Sequence, residues 1–326
     1  MIDLLNLYDS LSGPAMYSVS DLQFAGAAIP NSQHHIAKDT EGKPVVLFNV
    51  KQSNVRPPSI LLRNLQVDHE LRCRIRLLDG TQSVNTYSIV RCLSTAEPLQ
   101  RTFFDLISVL LHQLTDQPTS RDLGETFDRA CALFLALERP ASRSVQGLWG
   151  ELFLITRSRN ASLLVESWHA DAAEHYDFAH EHHRLEVKTC SDRSRIHHFS
   201  YEQVYPPSGV EVAIASMFAE KTAAGASLGE LWDQARNLVS NNSSLRLKID
   251  QVCIQSLGDS WEGARTVRFD STLAAQSLAF YDIEDIPRIA TPLPVGISTV
   301  RFCSNLSVSK TLESNSAGPL VTSLIT

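Results

Sequence analysis

A chain of 326 residues, 43% hydrophobic and 20% charged, is long enough for roughly two domain cores and too apolar for wholesale disorder. Its formal charge of −7 excludes a protein that coats nucleic acid on charge alone, and no run of about eighteen uncharged apolar residues predicts a membrane span. Six cysteines without a CxxC pair suit reduced thiols, and Met1–Asp9 carries acid where an export signal needs base, so a cytoplasmic location is expected.

The first hundred residues read as β-rich. His34–Ile36 and Val45–Phe48 flank the turn chemistry of Asp39–Gly42. Leu71–Leu78 and Ser83–Cys92 flank Asp79-Gly80, a second hairpin. Residues 51–101 hold eight basic and four acidic side chains, whereas 102–180 hold six and eleven. Arg72, Arg74 and Arg76 alternate, so one strand face would carry all three, as a solvated face or as a phosphate-contacting one.

Helices follow, at Phe103–Leu114 and Leu123–Leu137, separated by Pro118 and stopped by Pro140. A third spans about Val145–Arg159. Strands are predicted near Tyr176–Ala179, Arg184–Cys190 and Val210–Phe218, then an amphipathic helix over Leu228–Val239. Leu247–Ile254 and Leu278–Tyr281 read as further strands, and the Ser/Thr-rich tail after Leu306 as partly loose.

The informative segment is His175–Thr189. Folded as a hairpin turning at Glu181-His182, it sets Asp177 directly opposite Glu186, on one face. Lys188, two residues beyond Glu186, shares that face, and Leu185, Val187 and Thr189 point the other way. Two opposed carboxylates repel unless a cation lies between them, and hard divalent ions such as Mg²⁺ favour such an oxygen site. With a neighbouring lysine, this suits metal-assisted phosphodiester hydrolysis. In the third helix Leu148, Leu152 and Ile155 form an inward stripe, and Glu151 falls on it. A buried carboxylate needs a cation, and the Asp177/Glu186 site offers one. Gly147 and Gly150 cost this helix about 1 kcal/mol each relative to alanine, which close approach of another backbone or of a nucleic-acid strand would explain.

Seven of the eleven histidines (169, 175, 180, 182, 183, 197, 198) fall within thirty residues. His180, His182 and His183 belong at the turn as exposed or phosphate-contacting groups; a structural zinc site is the rival. Arg193 and Arg195 are candidate phosphate contacts, and Trp149 and Trp168 read as core.

Asp177, eight intervening residues, then Glu186-Val187-Lys188 resembles the D-x(n)-E-x-K signature of the PD-(D/E)XK nuclease superfamily. Glu151 matches the acid on that fold's first core helix, and Gln203 the polar residue after its third core strand. The longer context, Gly147–Leu152, Asp177-Phe178, Glu186–Thr189, His198–Gln203 and Ile286–Ile289, resembles the DUF4420 family within that superfamily. Tyr176 stands where the signature has proline. The resemblance implies an α/β (α+β) restriction-endonuclease-like core, a small mixed sheet flanked by helices. It implies Asp177, Glu186 and the Val187 carbonyl as metal ligands with Glu151 as a further one, directly or through water, Lys188 as the catalytic lysine, Gln203 in support and Mg²⁺ or Mn²⁺ as cofactor. DNA is then the substrate, in a bacterial restriction or phage-defence setting.

The expected organisation is a β-rich domain for DNA or partner recognition (1–100), a helical connector (101–140), a nuclease-like domain (141–306) and a loose tail (307–326). The function expected is a divalent-metal-dependent DNA endonuclease, with an ATPase or other defence-system subunit as partner and a homodimer where both strands are cut. The alternative is a catalytically inactive nuclease-fold subunit that binds DNA or scaffolds a complex; a zinc hydrolase built on the histidines is a third reading.

Overall fold

The computed structural model describes residues 4–11, 23–39, 41–51, 56–115, 117–169, 174–312 and 318–324. Its contacts divide the chain into two units, Met1–Glu138 and Arg139–Thr326. Helices and mixed sheets alternate through it, an α/β architecture of the restriction-endonuclease-like kind.

The first unit contains α1 (Leu4–Asp9), β1 (Gln23–Ala28), β2 (His35–Lys38), β3 (Pro44–Asn49), β4 (Ile60–Leu61), β5 (Leu65–Leu77), β6 (Gln82–Cys92), α2 (Glu97–Gln113) and α3 (Ser120–Ala136). The sheet order is β1-β2-β3-β6-β5-β4, and β1 also pairs in parallel with β5, so the sheet closes on itself. Closure removes an exposed strand edge. A register shift between Asp68 and Leu71, with Glu70 at φ 52°, bends β5; its first half pairs with β4 and its second with β1. Asp79-Gly80 makes the predicted β5–β6 turn, with Gly80 at φ 86°. Inside, Phe24, Val45, Leu47, Cys73, Ile75, Tyr87 and Ile89 form one buried cluster. A Thr119–Asp122 capping box starts α3, satisfying N–H groups that the helix leaves open.

The second unit contains α4 (Val145–Arg157), α5 (Ala161–Ser167), β7 (Phe178–His180), β8 (His183–Cys190), β9 (Ile196–Ser200), α6 (Tyr201–Val204), β10 (Glu211–Phe218), β11 (Lys221–Ser227), α7 (Leu228–Leu238), α8 (Ser243–Leu257), α9 (Trp261–Ala264), β12 (Arg268–Phe269), α10 (Ser271–Ser277), β13 (Ala279–Asp282), β14 (Arg301–Asn305) and α11 (Pro319–Thr322). Its main sheet runs β13-β10-β8-β7, with β8 and β10 parallel and both outer pairings antiparallel. β9 pairs with β14, and β11 with β12. Leu320 and Val321, in the tail, are buried.

Two features of this unit bear on the site. Ser144 caps α4 by accepting from Gly147 N–H, and Gly150 lies where an added Cβ would be 2.5 Å from Thr189 Cγ2. Close approach of β8, not of a nucleic-acid strand, therefore accounts for Gly150. The second feature corrects a sequence expectation. Leu247–Ile254, expected as a strand, lies inside α8, which Asn242 caps. Leu245, Leu247 and Ile249 alternate with Arg246, Lys248 and Asp250, a period of two that reads as strand although the segment is helical. Asp250 in α8 accepts from Trp232 Nε1 at 2.7 Å and pairs with Arg236, both from α7, which ties the two helices together.

Candidate active site

The β7–β8 hairpin has the register that a Glu181-His182 turn dictates: Phe178 faces Leu185, Ala179 faces Arg184 and His180 faces His183. One further step sets Asp177 opposite Glu186. Asp177 Oδ2 accepts the Val187 N–H at 2.8 Å, which pins the carboxylate against β8. Glu186 Oε1 accepts from Lys188 Nζ at 2.6 Å and from Gln203 Nε2 at 2.7 Å. Gln203 reaches it from α6, where a Ser200–Gln203 capping box fixes the turn after β9; the amide also donates to the His175 carbonyl. Lys188 Nζ lies 4.9 Å from the Phe199 ring centroid, a second favourable contact for the ammonium.

Glu151 arrives from α4, packed on the Val187/Thr189 face of β8. It is 4% exposed, among Leu148, Leu152 and Ile155. Its Oε2 accepts from Arg143 at 2.8 Å and from Trp168 Nε1 at 2.6 Å. The same Arg143 NH1 lies 3.6 Å from Asp177 Oδ1, while NH2 donates to the His169 carbonyl. All five predicted side chains, Glu151, Asp177, Glu186, Lys188 and Gln203, thus belong to one connected group.

Two buried carboxylates, Glu151 and Glu186, and the half-buried Asp177 share this space with two cations, Arg143 and Lys188. Burial, reinforced by the Asp177 charge, pushes Glu151 up to about 8 and Glu186 up to about 7. Burial likewise raises Asp177 above the ordinary carboxylate range. The group is short of positive charge. A hard divalent cation taking oxygen ligands is the species that would correct this, so the donor set fits one.

Two members escaped sequence reasoning. Arg143 precedes the N-cap of α4, and no periodicity relates it to Asp177. Trp168 reads correctly as core, but its N–H is spent on Glu151; the available signal was that a buried indole N–H needs an acceptor. Arg193 and Arg195, offered as phosphate contacts, are turned to protein partners. Arg193 pairs with Glu220, and Arg195 donates to Ser216 Oγ at 2.9 Å. His197 is buried and meets that same hydroxyl at 2.8 Å; desolvation, with Lys188 and Arg195 nearby, lowers it to about 4, so it stays neutral near pH 7. The histidines at the turn lie three rungs from the Asp177–Glu186 pair. There the ligand atoms of His182, His183 and Glu211 fall within 4.8 Å of one another, and the set is largely exposed.

The arrangement sets an oxygen-rich donor group beside a lysine, and comparison at the family level decides the lineage. Residues 6–307 match the family model described as "Putative PD-(D/E)XK family member, (DUF4420)". The chain belongs to the DUF4420 family. No curated protein and no solved structure matches it. PD-(D/E)XK nucleases generally use divalent metals, which agrees with the oxygen-rich donor set of this DUF4420 member. No helix among the described residues is long and apolar enough to cross a membrane.

Proposed function

We propose that this DUF4420 protein is a divalent-metal-dependent DNA endonuclease, with its active site at Asp177, Glu186 and Lys188. The observation that carries the reading is the junction at Glu186, whose single oxygen Oε1 accepts from both Lys188 and Gln203 while the next residue's N–H, that of Val187, holds the Asp177 carboxylate. A surface salt bridge needs no such burial and no such convergence.

In this reading Asp177, Glu186 and the Val187 carbonyl hold Mg²⁺ or Mn²⁺, which when bound polarises the scissile phosphate as a Lewis acid. Lys188 orients the attacking water and stabilises the negative charge that grows on the phosphate oxygens. Gln203 holds Glu186 in place through one amide hydrogen and keeps α6 against the site through the other. Glu151 acts through Arg143, fixing a guanidinium beside Asp177. Burial matters to each role, because a group fixed in a low-dielectric setting needs no reorganisation when charge develops. The setting proposed is bacterial restriction or phage defence, with a further subunit supplying any gating by ATP.

Supercoiled plasmid incubated with Mg²⁺ or Mn²⁺ tests the assignment. Nicking or linearisation is expected from the native protein and should drop at least about 100-fold in Lys188→Ala and Asp177→Ala. Cleavage that persists in both variants would move the site elsewhere. A native protein that cuts nothing, and takes up no Mn²⁺ by calorimetry, would be the inactive nuclease-fold subunit instead.

A further inference from the structure

We propose that His182, His183 and Glu211 form a second metal site, for Zn²⁺, where the β7–β8 turn meets the start of β10. The site is separate from the carboxylate group and does not depend on the nuclease reading.

β8 and β10 run parallel, and their first rung sets His183 beside Glu211. The Glu211 N–H donates to the His182 carbonyl at 2.9 Å, so the backbone itself brings the turn histidine and the strand acid to one place. His183 Nδ1 lies 3.1 Å from Glu211 Oε2. Two ligands of one tetrahedral Zn²⁺, with bonds of about 2.0–2.1 Å, stand about 3.3 Å apart, close to the separation of that pair. The third donor is His182, whose ring centroid lies 4.0 Å from that of His183. One ligand atom from each of the three residues falls within 4.8 Å of the others. A surface ion pair accounts for the contact of His183 with Glu211. It does not account for a second imidazole brought against the first.

The surroundings suit an ion. His183 is half-buried, and an added Cβ on Gly318 would stand 2.4 Å from its Nδ1, so the chain before α11 presses on that ring and holds it in place. A cavity of about 370 Å³ opens beside His183 and Glu211, with Asp282 and Glu284 among its other walls. It leaves room for the water that completes the coordination of an ion with three protein ligands. The neighbouring cation is engaged elsewhere: Arg184 NH1 donates to the Glu181 and His183 carbonyls at 2.8 and 2.9 Å. Imidazole nitrogen favours Zn²⁺, whereas Mg²⁺ prefers oxygen, so the two sites would take different metals. Zn²⁺ bound here would join the β7–β8 turn to β10. It would staple the first rung of the ladder that carries Glu186 and Lys188 without touching either side chain.

The test is calorimetric titration of Zn²⁺ into the full chain in excess Mg²⁺, with the thermal midpoint measured on the same samples. Native protein should take up Zn²⁺, and its midpoint should rise as Zn²⁺ is added, because an ion that binds the folded chain stabilises it. His182→Ala and Glu211→Gln change exposed positions, so the fold survives either substitution. Each should weaken Zn²⁺ binding by at least about tenfold and remove most of the rise in midpoint. Asp177→Ala should leave the affinity within about twofold of native, since the two sites lie three rungs apart; this separates the site from uptake at the carboxylates. The proposal is overturned if native protein takes up no Zn²⁺, if either His182→Ala or Glu211→Gln binds it as tightly as native protein, or if Asp177→Ala abolishes the uptake.

Discussion

Arg143 and Lys188 are the two cations on which the buried carboxylates depend. Removing a partner from a buried pair strands the other charge, typically at about 3–5 kcal/mol. Arg143→Gln is therefore expected to lower the stability of the second unit by about that amount at pH 8, measured by urea denaturation, and by clearly less at pH 5.5, where protonation neutralises the carboxyls. The sign of the pH dependence follows from Glu186 raised from 4.5 to about 7 and Glu151 raised from 4.5 to about 8. Below about 4.5 both are protonated in either state. Between there and about 8 the folded chain retains protons that the unfolded chain has released, so stability falls as pH rises. The urea midpoint in EDTA should accordingly decline from pH 5 to 8.5, and Glu151→Gln should flatten that decline. Saturating Mn²⁺ should oppose it most strongly at the alkaline end, where the carboxylates are free to bind.

At the scale of elements, the site depends on how closely α4 and the β7–β8 hairpin approach and turn. Gly150→Ala would place its Cβ 2.5 Å from Thr189 Cγ2, in direct conflict with β8. Overpacking of that kind costs about 1–3 kcal/mol, and here it would also shift the adjacent Glu151 against Arg143 and Trp168, which both donate to it. Loss of stability with a parallel loss of Mn²⁺ affinity is the expected result. The hairpin carries the opposite opportunity. Glu181 sits at φ 50° in the first position of a two-residue turn, a conformation in which a Cβ is costly and glycine is not. Glu181→Gly should stabilise the second unit by about 1 kcal/mol without changing activity, because its side chain lies at the turn and not among the carboxylates. A fall in thermal midpoint would refute this account of the turn.

For the whole molecule, the division of labour follows the division of the chain. Every residue of the candidate site lies within Arg139–Thr326. Residues 139–326 expressed alone should therefore fold and take up Mn²⁺ with the affinity of the full chain. Circular dichroism checks the folding and calorimetry the metal affinity. Loss of the metal site in this fragment would show that the first unit is needed to build it.

The amino-acid sequence by itself determined what depends on near neighbours. The Asp177–Glu186 pairing follows from a two-residue turn and a period of two, and those operate within ten residues. Burial of Glu151 follows from a helical stripe, and exposure of Arg72, Arg74 and Arg76 from strand alternation. The family signature adds Gln203 on the same basis, a fixed position after a strand. Tertiary structure alone decided the rest. Arg143 meets Asp177 across 34 positions, and the Trp168 N–H finds Glu151 across 17, because packing and not periodicity brings them together. Helix α8 was illegible for a related reason: its first half alternates Leu245, Leu247 and Ile249 with Arg246, Lys248 and Asp250, a local period of two that packing overrides. Arg193 and Arg195 were free charges on paper, and only the folded chain shows them turned to Glu220 and Ser216. Local rules fix which face a side chain takes; long-range packing fixes what that face meets.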